Sequence, residues 1–241
     1  MSAKISPLGD LLASNSKNCI LVKNPPGSNS SQYVFFPGCQ LSGTAPHLVF
    51  KTYADLRKHL PEAGILLSCC GTPAQWSNQS ELFQGGVQKL RQIWLELGKP
   101  VMITACSTCY QMFKMNLPEI KLLSLWEVLE QMDIPPCIPN SRKTVALHDS
   151  CTTRQEKQIH DSVRKLLLRL GYSIEELPHS RESTICCGNK GLLPYTHPEA
   201  ADKIAKIRMK ESQSDYVTYC VTCQQTFRSK GKRTYYLLDL L

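Results

Sequence analysis

Ser68-Cys69-Cys70-Gly71 has an echo in the same chain at Ile185-Cys186-Cys187-Gly188. Each adjacent cysteine pair follows one lone cysteine and precedes one C-x-x-C. Cys39 lies 30 residues before Cys69, and Cys106/Cys109 begins 36 residues after Cys70; Cys151 lies 35 residues before Cys186, and Cys220/Cys223 begins 33 residues after Cys187. Ten of the 12 cysteines therefore fall into two sets of five. Successive side chains of a strand point to opposite sides, so neighbouring thiolates do not easily ligate one ion from a single strand. A strand that ends at the pair, followed by a turn that glycine permits, aims both sulfurs at one larger object. An iron–sulfur cluster is such an object, and its irons prefer soft thiolates.

The 241 residues fit one large domain or two smaller ones, either long enough to bury a core. Hydrophobic content of 42% and charged content of 20% are those of an ordinary globular protein. No apolar run approaches the roughly 18 residues that span a bilayer, and the polar start, with Lys4 and Asn15, lacks the character of a signal peptide. A cytoplasmic location is the expectation. In a reducing compartment clustered thiols read as ligands and not as a disulfide framework. Cys19 and Cys137 stand outside the pattern and are expected to be small buried hydrophobes. The net charge of +8 is spread along the chain, with one short basic cluster at Arg228, Lys230, Lys232 and Arg233, which argues for a solvated surface over a nucleic-acid interface. Basic residues also stabilise anionic thiolate clusters and receive acidic partners.

Residues 1–32 show no sustained period and contain Pro25-Pro26-Gly27-Ser28-Asn29-Ser30-Ser31, the character of an extended arm. Strands are expected at Tyr33 to Phe36, Gly64 to Ser68 and Pro100 to Thr104, with helices at Ala45 to Leu60 and Ser80 to Leu97. The second of these helices carries Leu82, Val87, Leu90, Ile93, Trp94 and Leu97 on its apolar face. A helix at Leu123 to Met132 closes a first domain, 33–138. The three prolines Pro135, Pro136 and Pro139 cannot sit in regular structure and mark the boundary. The order then repeats in a second domain, 139–241: strand Thr144 to Leu147, helices Arg154 to Leu170 and Pro198 to Ser212, strand Tyr216 to Tyr219. The ending Leu238-Asp239-Leu240-Leu241 has the apolar character of a segment that continues. Alternating strands and helices imply an α/β fold of two Rossmann-like lobes with parallel sheets. Functional crevices of such sheets lie beyond the carboxyl ends of the strands, where the cysteines fall.

The doubled pattern, with Pro37-Gly38-Cys39, Cys70-Gly71-Thr72-Pro73, His148-Asp149-Ser150-Cys151 and Cys187-Gly188-Asn189-Lys190-Gly191, resembles the cysteine-rich domains of the B-type subunit of heterodisulfide reductase and its relatives, including iron–sulfur subunits of glycolate and lactate oxidases. The resemblance runs over roughly 33–228. Ser150 stands where the family often has proline, and no ferredoxin-like segment of the kind fused to many relatives occurs in these residues. The resemblance implies lobes related by pseudo-two-fold symmetry with facing clusters. It also implies that each set can hold a 4Fe-4S cluster, in some relatives an unusual noncubane one with bridging cysteine sulfurs. By position the ligands are Cys39, Cys69, Cys70, Cys106 and Cys109 in one set and Cys151, Cys186, Cys187, Cys220 and Cys223 in the other. The implied activity is reduction of a disulfide or similar sulfur substrate with electrons from a flavin or iron–sulfur partner protein.

The residues leave other readings open. C-x-x-C with two further cysteines makes a closed zinc site, and zinc in one half would leave a redundant thiol there. A thioredoxin-like use of C-x-x-C leaves the remaining cysteines unexplained. No G-x-G-x-x-G fingerprint or P-loop is present, so electrons for redox chemistry must come from another protein. A non-catalytic relay component of a dehydrogenase or quinone-linked complex meets the same requirements. His47, His148 and Arg154 lie near the lone cysteines and are candidates to polarise a bound thiolate or carboxylate. A histidine at a strand end equally hydrogen-bonds nearby backbone or orients a ligand loop. No general acid is assigned, because reductive cleavage at iron depends on sulfur ligation more than on a protein base.

Overall fold

The computed structural model describes residues 21–25, 27, 28, 30–132 and 143–241. Cys19 with most of the expected arm, and Cys137 with the proline-rich boundary, lie outside the described residues. The first sheet contains β1 (Leu21–Lys23), β2 (Tyr33–Phe36), β3 (Ala63–Leu67), β4 (Val101–Thr104) and β5 (Leu122–Ser124) in the order β1-β3-β2-β4-β5. β2 runs parallel to both neighbours, with Phe35 opposite Ile65 and Ile103. The second sheet contains β6 (Thr144–His148), β7 (Ser173–Glu176), β8 (Tyr216–Thr218) and β9 (Thr234–Tyr236) in the order β7-β6-β8-β9, all parallel. Central strands covered on both faces need continuous apolar runs. Val34-Phe35-Phe36 and Val145-Ala146-Leu147 supply them and are fully buried, each large side chain contributing about 1.5–3 kcal/mol.

Leaving β1 aside, both sheets place their strands as second, first, third, fourth. The chain therefore repeats in topology as it does in cysteine spacing. The topological switch in this order falls between first and third strands, the usual ligand crevice of open α/β sheets. In each half the lone cysteine follows the first strand and the C-x-x-C follows the third, so the two flank that switch.

The helices are α1 (Cys39–Thr44), α2 (Pro46–His59), α3 (Thr72–Trp76), α4 (Ser80–Glu96), α5 (Ser107–Asn116), α6 (Leu125–Gln131), α7 (Lys157–Arg169), α8 (Leu193–Thr196), α9 (Pro198–Met209) and α10 (Val221–Arg228). On α4 the buried stripe is Phe83, Val87, Leu90, Ile93 and Trp94, so Phe83 takes the position expected for Leu82, which is exposed. Residues 21–23, expected in the arm, instead add an antiparallel strand to β3, a run too short to show a period. The short strands β5, β7 and β9 are likewise absent from the sequence expectation.

The described residues divide into two compact units, one within 21–104 with 112–122 and one of 105–111 with 123–132 and 143–241. Helix α6, expected to close the first half, packs on α7 in the second unit. Its start is a capping box: Ser124 Oγ accepts from Trp126 N at 3.3 Å, and Glu127 Oε2 accepts from Ser124 N at 3.0 Å. Its end is taken up by Arg169, which donates to the carbonyls of Glu130 and Leu129 at 3.0 and 2.9 Å. Trp126 fills the same core, edge-on to Tyr219 and Tyr236 with centroids 6.1 and 5.8 Å away. Trp126→Ala is expected to destabilise the second unit by about 3–5 kcal/mol in denaturant unfolding. A loss under about 1 kcal/mol would contradict this assignment of α6.

Candidate metal centre

In the first unit β3 ends at Leu67 and the chain passes directly into Cys69-Cys70-Gly71. Gly71 takes φ +80°, which turns the backbone into α3 and brings its N–H to the Cys69 sulfur at 3.4 Å. Cys39, at the start of α1, places its sulfur 3.5 Å from that of Cys69, and Cys70 Sγ lies 3.2 Å from Thr72 Oγ1. These three thiols come together as expected from the sequence. The contact between the two sulfurs draws the Cys39 thiol below its ordinary value and pushes Cys69 far up.

Cys106 and Cys109 belong to the second unit, just before and within the first turn of α5. Within that unit burial raises the Tyr236 phenol well above its ordinary value, and the nearby charges of Cys106, Cys220 and Cys109 add to the effect. Two buried hydroxyls beside Cys106, Thr104 Oγ1 and Ser107 Oγ, have no hydrogen-bond partner.

The second set is assembled within one unit. Its sulfurs form a continuous run of contacts from Cys151 to Cys186, Cys187, Cys223 and Cys220. Contact with Cys151 and Cys187 holds the Cys186 thiol well down, whereas contact with Cys186 pushes Cys151 and Cys187 up. A hydrogen bond from Cys223 outweighs burial and draws Cys220 to about 7. Gly188, at φ +98°, donates its N–H to Cys186 Sγ at 3.3 Å, repeating the arrangement at Gly71.

Here the cysteine pair does not follow a strand directly. β7 ends at Glu176, and a loop runs from there to Cys186. A buried polar clamp holds that loop. Asp149, fully buried, accepts from Arg164 Nη1 and Nη2 at 3.1 and 2.8 Å and from the Arg181 N–H at 2.7 Å. Thr184 Oγ1 donates to the Asp149 carbonyl at 2.8 Å, and Arg154 donates twice to the Thr184 carbonyl, at 2.9 and 2.5 Å. Burial would raise the Asp149 carboxyl, yet the Arg164 hydrogen bonds and charge keep it below its ordinary value. The loops carrying Cys151 and Cys186 are thereby tied together.

Arg154 is thus committed to backbone. His47 is exposed in the first turn of α2, with no described contact to a sulfur. His148 is buried at the end of β6, where its Nδ1 accepts from Arg208 Nε at 2.9 Å. Arg164 and Arg208 escape sequence reasoning because a buried arginine within a helical period looks like a solvated one; the only sequence signal for Asp149 is its place beside Cys151.

None of the ten patterned cysteines is tied up in a disulfide, which leaves their sulfurs available for metal ligation. Among the described residues no group of three or more His, Cys, Asp or Glu side chains forms a ready site for a single ion. The second set has five sulfurs, one more than the closed tetrahedron of zinc takes. Soft sulfur donors, N–H groups directed at sulfur and partnerless buried hydroxyls fit a polynuclear iron–sulfur group.

The model of the CCG cysteine-rich domain matches residues 33–114 and again 145–228. The chain belongs to the CCG cysteine-rich domain family. Among curated relatives, the glycolate oxidase iron-sulfur subunit of Escherichia coli is 23% identical over 236 residues, covering 86% of this chain and 56% of that protein. The EtfAB:quinone oxidoreductase of Syntrophomonas wolfei is 23% identical over 208 residues, covering 79% and 29%. A subunit of the dihydromethanophenazine:CoB–CoM heterodisulfide reductase of Methanosarcina acetivorans is 23% identical over 207 residues, covering 77% and 49%. The chain thus spans from 29% to 56% of the length of these relatives. No helix of the described residues is long and apolar enough to cross a membrane.

The two CCG glycines differ in their surroundings. A Cβ on Gly188 would lie 2.5 Å from the Ala201 carbonyl oxygen of α9, whereas one on Gly71 would meet only the Phe83 ring at 3.4 Å. Gly188→Ala is expected to cost about 3 kcal/mol and Gly71→Ala about 1–2 kcal/mol in denaturant unfolding. Equal losses would show that the Gly188 loop moves freely away from α9.

Proposed function

We propose that this CCG protein is an iron–sulfur redox subunit that holds one cluster per five-cysteine set and receives electrons from a flavin or iron–sulfur partner. The observation that carries this reading is the second set: five free thiols in continuous contact, with a glycine N–H directed at the Cys186 sulfur. Cys151, Cys186, Cys187, Cys220 and Cys223 would hold one group. Cys39, Cys69, Cys70, Cys106 and Cys109 would hold the other. When bound, such a group supplies one-electron chemistry and open iron sites for sulfur. The chain's own residues bury the sulfurs, keep the Cys151 and Cys186 loops in register through Asp149 and Arg164, and direct amide N–H groups at Cys69 and Cys186.

The finer reading is reduction of a disulfide or related sulfur substrate, in which two electrons and two protons convert one disulfide into two thiols. The relative named for heterodisulfide reductase supports it. The relatives named as a glycolate oxidase iron-sulfur subunit and a quinone oxidoreductase favour a second reading, an electron relay with no substrate of its own.

Iron and acid-labile sulfide analysis of anaerobically prepared protein tests the common core of both readings. About eight irons are expected if both sets hold four-iron clusters. Cys70→Ser and Cys187→Ser should each impair one site and spare the other. Stoichiometric zinc without labile sulfide would contradict the reading. Oxidation in the presence of single thiols then separates the two roles: a thiol-dependent paramagnetic signal, broadened by a magnetic sulfur isotope, supports the substrate reading, and unchanged spectra across a thiol panel support the relay.

A further inference from the structure

The internal repeat aligns two aromatic pairs. Phe36 lies three residues before the lone Cys39, and Phe113 four residues after Cys109; His148 lies three before Cys151, and Phe227 four after Cys223. Phe36 and Phe113 meet edge-on with centroids 5.1 Å apart at 87°. His148 and Phe227 meet edge-on at 4.8 Å and 90°. The packing is the same, and the first pair achieves it without any N–H. The imidazole in the second half is therefore surplus to packing.

Its protonation is fixed by chemistry. Arginine nitrogens only donate, so the 2.9 Å contact from Arg208 Nε makes His148 Nδ1 an acceptor. Burial, with the Arg208 charge added, lowers the His148 pKa to about 3, so the ring is neutral and its proton sits on Nε2. That nitrogen is buried and has no hydrogen-bond partner. A buried donor left unmade carries an uncompensated desolvation cost. Arg208 itself is fully buried, held by Glu211 and by Thr184 Oγ1 at 3.5 Å, and the Tyr216 hydroxyl donates to its carbonyl at 2.8 Å. The Cys186 sulfur is close enough for its charge to act on the imidazole.

We propose that His148, locked as its Nε2–H tautomer by Arg208, donates a hydrogen bond to an anionic sulfur of the group held by the second cysteine set, making this site electronically unlike the first, where Phe36 stands at the same position. The inference rests on the iron–sulfur reading of the two sets. Hydrogen bonds to cluster sulfur raise a reduction potential. The second site is accordingly the easier of the two to reduce as far as this contact acts. His148 is a positioning residue for charge and needs no change of protonation.

The test uses the full chain, anaerobically reconstituted with iron and sulfide, in a redox titration followed by electron paramagnetic resonance. His148→Phe copies the packing already present at Phe36 and removes the donor. His148→Gln keeps an acceptor for Arg208 and a donor in place of Nε2–H. His148→Phe is expected to lower the potential of one transition and leave the other in place, with loss of an exchangeable-proton coupling at the shifted signal; His148→Gln restores both. Unmoved transitions in His148→Phe with full iron content would overturn the inference while leaving the iron–sulfur reading intact. Wild-type protein that takes up no labile sulfide would remove that reading and this inference with it. If His148→Phe loses iron from one site, retention in His148→Gln supports the donor role, and loss in both variants overturns it.

Discussion

Two adjacent side chains of an extended backbone point in opposite directions, and every feature of the cysteine sites answers that constraint. The answer in both halves is a glycine of positive φ directly after the pair, whose N–H returns to the first sulfur at 3.4 Å in one half and 3.3 Å in the other. The turn converts two divergent thiols into members of one group. The sheets place the remaining cysteines, because strand order second-first-third-fourth sets the lone cysteine and the C-x-x-C on either side of the topological switch.

The same result is reached with different supports. In the first half the strand β3 leads straight into the pair, so backbone pairing with β2 positions it. In the second half a loop intervenes between β7 and Cys186, and the buried Asp149, Arg164 and Thr184, with the Arg181 backbone N–H, replace the strand. Such a clamp is costly to break, since removing one member of a buried ion pair strands the other charge. Its polar character extends to Arg208 and His148, and it leaves the second set in a more polar setting at the ring position where the first has Phe36.

Much of the architecture is legible from residue order. Apolar runs such as Tyr33 to Phe36 and periodic stretches such as Ser80 to Leu97 mark strands and helices within a residue or two of those observed, and the ten cysteines are evident from spacing alone. Less legible are the elements of three or four residues, β1, β5, β7 and β9, which are too short to carry a period and are ordered by their sheet neighbours. Helix α6 is misplaced by sequence reasoning for a similar reason: its residues show an apolar face but not which helix covers it, and Arg169, which caps it, comes 38 residues after Gln131. The clamp is invisible at that level, since buried arginines look like surface ones until their acidic partners are in place.

The account turns on the claim that the two cysteine sets are iron–sulfur sites and not a store of structural thiols or closed zinc sites. Mössbauer spectroscopy of the full chain reconstituted with iron-57 and sulfide tests this most directly, because it reads the ligands and magnetic coupling of every iron present. The account predicts tetrahedral, sulfur-coordinated iron in exchange-coupled clusters, in two populations that respond separately to substitution in either cysteine set. Isolated, uncoupled iron, or protein that excludes iron and takes up zinc, would contradict it.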